Sequence, residues 1–76
     1  MSIIPIITAK QLLSVLLKTG FQIARQKGSH IRLENIITKK STTVPLHTGD
    51  LSRKMISQIL KQAGVSVSDF LKILGK

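Results

Sequence analysis

Two apolar periods alternate along the chain, and each predicts an element. From Thr8 to Lys18, Ala9, Leu12, Leu13, Leu16 and Leu17 recur at i, i+3 and i+4, with Lys10, Gln11, Ser14 and Lys18 opposite. That is the stripe of an amphipathic helix. Thr8 suits its N-cap, and Gln11 three residues later completes a capping box. Gly20 stands where a left-handed residue ends such a helix. The period then falls to two. "FQIARQK" predicts a strand from Phe21 to about Lys27, with Phe21 and Ile23 on one side and Gln22 and Ala24 on the other. Gly28-Ser29 is a tight turn. In "HIRLEN", Ile31 and Leu33 point one way and His30, Arg32 and Glu34 the other.

"NIITKK" is a turn with a basic tip. "STTVPLH" predicts a third strand, with Val44 and Leu46 on one face and Thr43, Pro45 and His47 on the other. Pro45 has no N–H for a ladder, so this strand lies at an edge or ends there. After the loop "HTGDLS", the helical period returns from about Ser52 to Ala63, with Met55, Ile56, Ile59, Leu60 and Ala63 as the stripe. Gly64 closes that helix. Ser66 and Asp69 suit the cap of a short last helix through Leu74, with Val67, Phe70, Leu71 and Leu74 apolar. The expected fold is α+β: an antiparallel three-stranded meander with helices on one face, which satisfies every apolar stripe.

That fold leaves one sheet face to water. Ile31 and Leu33 must turn toward the helices, so His30 and Arg32 turn outward. His47 falls on the outward set by the same count. Arg25 and Lys27 receive no face, because a bulge at Gly28 would shift strand one by a residue. Ile23, Ile31, Leu33, Val44 and Leu46 are expected to pack under Leu12, Leu13, Leu16, Ile56, Ile59 and Leu60.

Charge gives this open face a meaning. Twelve Lys and Arg stand against three acids, for a net charge of +9. Such a surface attracts polyanions: nucleic acid, an anionic membrane or an acidic protein. The basic residues are spread along the chain, so the charge belongs to the folded surface. The 76 residues are expected to form one domain, 1–76, with a thin core. The chain has no cysteine, so disulfides and thiolate metal sites are excluded, and this fits a reducing cytosol. No apolar run is long enough to span a membrane. "MSIIPIITAK" has no basic n-region and no small-residue cleavage site, so it is not read as a signal peptide. Phe21 and Phe70 are the only aromatics and both fall at core positions, which argues against base stacking. Recognition then rests on phosphates and 2′-hydroxyls, as with RNA duplexes or structured RNA.

"QKGSH", residues 26 to 30, raises the chemical question. His30 alone is read as a polar residue on an exposed strand. Two histidines without a third ligand or a cysteine fall short of usual metal sites. Ser29 adjoins His30, but strand neighbours point to opposite faces and no acid is placed to orient a triad. No phosphate-cradling loop of the nucleotide-binding type occurs.

Taken together, "GFQIARQKGSHIRLEN" and "TTVPLHTGDLSRKMISQILKQAGVSVSDFL" resemble the HicA (YcfA-like) toxin family of type II toxin–antitoxin systems, from about Ala9 to Leu71. The resemblance rests on Gly-Ser-His opening strand two, Val-Pro-x-His ending strand three, and "ILKQAG" ending the second main helix. It implies a fold like that of double-stranded-RNA-binding domains, in the order α-β-β-β-α. It implies an mRNA interferase, an endoribonuclease acting on mRNA in the cytoplasm and silenced by a HicB-type antitoxin. It makes His30 the catalytic histidine, with Gly28 and Ser29 as its supporting turn, and matches His47 to the second histidine. Many relatives carry an aromatic shortly after the histidine, where this chain has Ile31 and Leu33. The hairpin after Glu34 also lacks the usual Pro/Gly character.

RNA brings its own nucleophile, the 2′-hydroxyl. Histidine suits the proton transfers and Lys or Arg the phosphorane charge. The expected chemistry is therefore transesterification without metal or cofactor, with His30 as acid or base and His47 or water as the second proton carrier. Lys27, Arg32, Lys39, Lys40 and Lys54 are the candidate RNA contacts, with Lys27 and Arg32 nearest the chemistry. Two other readings are a non-catalytic RNA-binding module of the same shape and an adaptor for an acidic protein.

Overall fold

The computed structural model describes residues 4–46 and 51–75. Its elements run α1 (Ala9–Lys18), β1 (Phe21–Lys27), β2 (His30–Asn35), β3 (Ser41–Pro45), α2 (Arg53–Ala63) and α3 (Val67–Leu74). The three strands form one antiparallel sheet in the order β1-β2-β3, which puts β3 and its Pro45 at an edge. This is the α-β-β-β-α arrangement with a short third helix.

The helix ends follow from side chains able to satisfy orphan backbone groups. At α1, Thr8 Oγ1 accepts from the Gln11 N–H at 3.2 Å, and Gln11 Oε1 accepts from the Thr8 N–H at 2.9 Å. Ser52 and Ser66 cap α2 and α3 in the same way, accepting from the Met55 and Asp69 amides. Asp69 thus sits in the first turn of α3 and is not its cap residue.

The helices lie on one face of the sheet. Leu12, Val15, Leu16, Ile56, Ile59, Leu60 and Phe70 share a core with Phe21, Ile31, Leu33 and Val44. Departures from the expected stripes occur on three elements. On α1, Val15 is buried and Leu17 is exposed. Leu17 is at the margin of the stripe, whereas Val15 lies three residues from Leu12 and joins its face. On α2, Met55 is likewise exposed at the stripe's margin. On β1, Ile23 is 49% exposed instead of lying in the core. Its partner Leu33 is fully buried, so Ile23 faces the helix side but on an edge strand whose far half the helices leave uncovered.

The α2 helix runs back along β3. Gln62 Oε1 accepts from Thr42 Oγ1 at 2.9 Å, and the Lys40 stem lies over Gly64. The C-terminal end of α2 therefore sits at the start of β3, and its N-terminal end lies toward the end where β3 meets β2 at His30.

Candidate RNA-facing site

The hairpin that presents His30 is short and tightly specified. Lys27 pairs with His30, so only Gly28 and Ser29 connect the strands. Gly28 has φ +58°, and Ser29 has no positive φ. Positive φ at the first central residue alone is the φ pattern of a type II′ turn, where glycine is favoured and the twist matches the flanking strands. Across the sheet, His30 pairs with Pro45, and the Leu46 N–H donates to the Ser29 carbonyl. The turn before His30 is thus tied to β3 beyond the point where Pro45 interrupts the ladder.

Burial along β2 alternates strictly from exposed His30 to buried Asn35. His30, Arg32 and Glu34 therefore stand on the open face, as expected. The register of β1 decides what stands beside them. The bulge lies between Ile23 and Arg25, around Ala24, and not at Gly28. One extra residue there reverses the sides of everything after it. Phe21 and Ile23 keep to the helix side, while Arg25 and Lys27 join the open face. Directly opposed residues share a face, which gives three rows: Lys27 with His30, Arg25 with Arg32, and Gln22 with Glu34. Three cations thus surround one histidine and face one carboxylate.

Arg25 did not figure among the expected contacts, yet the sequence holds its signal. Phe21 and Lys27 are six residues apart, so a regular strand puts them on one side. Phe21 must be inside, and Lys27, paired with an outward His30, must be outside. Only an odd extra residue reconciles the two.

Arg32 has some internal compensation. Its Nε lies 3.6 Å from Glu34 Oε2, and its Nη2 donates to Ser41 Oγ at 3.2 Å. Both members of the ion pair are about half exposed, so water and salt screen it.

The other expected residues are dispersed. Lys39 and Lys40 follow the Asn35 turn, at the end of β2 away from His30, about 17 Å along the strand. Asn35 Oδ1 holds that turn by accepting from the Ile37 and Thr38 amides, and Lys39 takes φ +64° to complete it. With Arg32, Glu34 and Ser41, both lysines line a depression of about 300 Å³. A second depression, about 370 Å³, is lined by Ala24, Arg25, Arg32 and Glu34. His30 lines neither depression and is exposed on the sheet face. Lys54 is exposed in the first turn of α2, in the helix layer. His47 lies outside the described residues.

Among the described residues, no helix is long and apolar enough to cross a membrane. A family model described as "HicA toxin of bacterial toxin-antitoxin" matches residues 9–65. The match begins with α1 and ends just past α2, so it includes the hairpin, the bulge and every residue named at the site, while α3 lies beyond it. No curated protein matches the chain significantly.

Proposed function

Because the chain belongs to the HicA toxin family of bacterial toxin–antitoxin systems, we propose that it is an mRNA interferase whose open sheet face binds RNA and whose His30 moves the proton. Membership carries a toxin's role and an antitoxin as counterpart, and it supports a nuclease activity in general. The observation that carries the finer reading is the Lys27–His30 row: an outward histidine with a cation directly across from it.

In the proposed reaction the RNA 2′-oxygen attacks the adjacent phosphorus and its proton passes to a base. The bond to the 5′-oxygen breaks, and that oxygen takes a proton from an acid. The products are a 2′,3′-cyclic phosphate and a 5′-hydroxyl. His30 serves as base or acid, and His47 or water is the other carrier. Lys27 stabilises the charge that builds on the phosphorane, and Arg32 adds to it from one row away. The Gly28–Ser29 turn holds His30 in register. Lys39 and Lys40 extend the contact toward the far end of the sheet, and Lys54 meets RNA that passes around the α2 end. No metal or cofactor is assigned a role.

One domain in the cytoplasm carries this activity, and a HicB-type antitoxin controls it. An acidic partner surface placed over the β1–β2 face competes directly with RNA and associates fast through steering. A complex that inhibits cleavage while His30 stays open to solvent overturns this occlusion.

The deciding experiment incubates the purified protein with RNA in EDTA, beside His30→Ala. Cleavage by the first alone, with cyclic-phosphate ends, supports the reading. RNA binding without cleavage by either favours the binding module, and no salt-dependent RNA binding favours the adaptor.

A further inference from the structure

Arg25 and Arg32 stand directly opposite each other on the open face. Like charges in that position destabilise a strand pair. A bulge in β1 is what brings Arg25 there, and Arg32 is only partly compensated by Glu34. Among the described residues, the Arg25 side chain makes no hydrogen bond or ion pair. The two arginines also line one depression, with Ala24 and Glu34. Two forked cations opposing each other at a concavity suit an oxyanion that accepts from both, and the fork matches phosphate as it does carboxylate.

The spacing says which phosphate. Successive rows on one sheet face are two residues apart, about 7 Å. Neighbouring phosphates of an extended nucleic-acid strand are separated by a similar distance. The Arg25–Arg32 row is one step from the Lys27–His30 row. The row beyond is Gln22 with Glu34, whose carboxylate repels a further phosphate.

We infer that Arg25 and Arg32 form a subsite for the phosphate next to the scissile one. This rests on the reading of His30 as the proton carrier. Arg25 is a positioning residue: it fixes the strand so that one particular linkage lies over His30 and Lys27. The cationic track is continuous over two phosphates, and the Glu34 row interrupts it before Lys39 and Lys40.

The test uses a short RNA whose cleavage site has been mapped with the wild-type protein. One linkage at a time is made neutral as a methylphosphonate, and kcat and KM are measured for wild type and Arg25→Gln. The expected result is a loss of about tenfold in kcat/KM for Arg25→Gln, carried by KM. A neutral linkage at one neighbour of the cleavage site costs wild type a similar factor, and combining the two changes adds little. Losses that multiply at every linkage, or no loss for Arg25→Gln, overturn the subsite. Binding of the same RNAs to His30→Ala repeats the cycle without catalysis. Coupling seen there supports the subsite even where the wild type proves not to cleave, which overturns the cleavage reading alone. Melting curves of each variant confirm the fold.

Discussion

Lys27 and His30 face each other as the last pair of the β1–β2 hairpin, with only Gly28 and Ser29 between them in the chain. A cation and a proton carrier are thereby held on one face by a turn with little freedom. Replacing His30 with Ala is expected to lower the cleavage rate by about 10²–10⁴-fold. The side chain is exposed, so stability should stay within about 0.5 kcal/mol. Single-turnover cleavage and thermal melting check both parts, with RNA binding measured beside them. Equal loss of binding and cleavage argues against a catalytic role.

The turn itself is testable. A Cβ at Gly28 meets nothing within 4 Å, so any cost of substitution comes from φ +58° and not from a clash. Gly28→Val should lose about 1–2 kcal/mol, and Gly28→Asn should lose less, because Asn is among the residues found at the positive-φ positions of primed turns. Urea denaturation distinguishes the two variants. Equal costs for Asn and Val contradict the backbone argument.

Ile23 and Leu33 are paired on the same side of the sheet and differ sharply in burial. Leu33→Ala is expected to cost about 2–5 kcal/mol, as for a core leucine. Ile23→Ala leaves no enclosed cavity and should cost clearly less. Comparable denaturation midpoints for the two variants indicate that something else covers β1.

Removing the like-charge row should have opposite effects on fold and function. Arg25→Gln relieves repulsion across from Arg32 and should stabilise the free protein by a few tenths of a kcal/mol. The same change weakens RNA binding. A melting temperature that falls with Arg25→Gln indicates that the guanidinium is structurally engaged instead.

Salt dependence sorts the remaining cations. For a short single-stranded RNA centred on His30, Lys27→Gln should reduce the slope of log K against log salt by about 0.7. Lys40→Gln should change that slope only for RNA long enough to reach the depression beside Ser41. Lys54→Gln should do so only for RNA that passes around the α2 end. Equal slope changes for all three on the short RNA point to a diffuse basic field and no defined track.

The parts of this molecule that follow local rules could be read from the sequence. Thr8 with Gln11, the α2 stripe from Ile56 to Ala63, and the alternation of β2 each declare their element over a few neighbouring residues. The outward placement of His30 and Arg32 followed from the same alternation. What was not read depended on comparing distant parts of the chain. Ile23 carries an apolar side chain at a correct inward phase, but helix coverage ends short of it, and no local pattern records that. Arg25 was missed because its side is set by a phase conflict between Phe21 at one end of β1 and Lys27 at the other. The bulge resolves that conflict at Ala24, a residue with no feature of its own.

The strict alternation of β2 also bears on how such a protein changes over generations. Ile31, Leu33 and Asn35 hold the strand to the rest of the molecule, while His30, Arg32 and Glu34 are exposed. Substitutions at the second set therefore leave folding nearly untouched. Such a surface can change one residue at a time without passing through unfolded intermediates. The fold therefore puts no brake of its own on what the exposed face becomes, and single changes there pass without loss of the folded state.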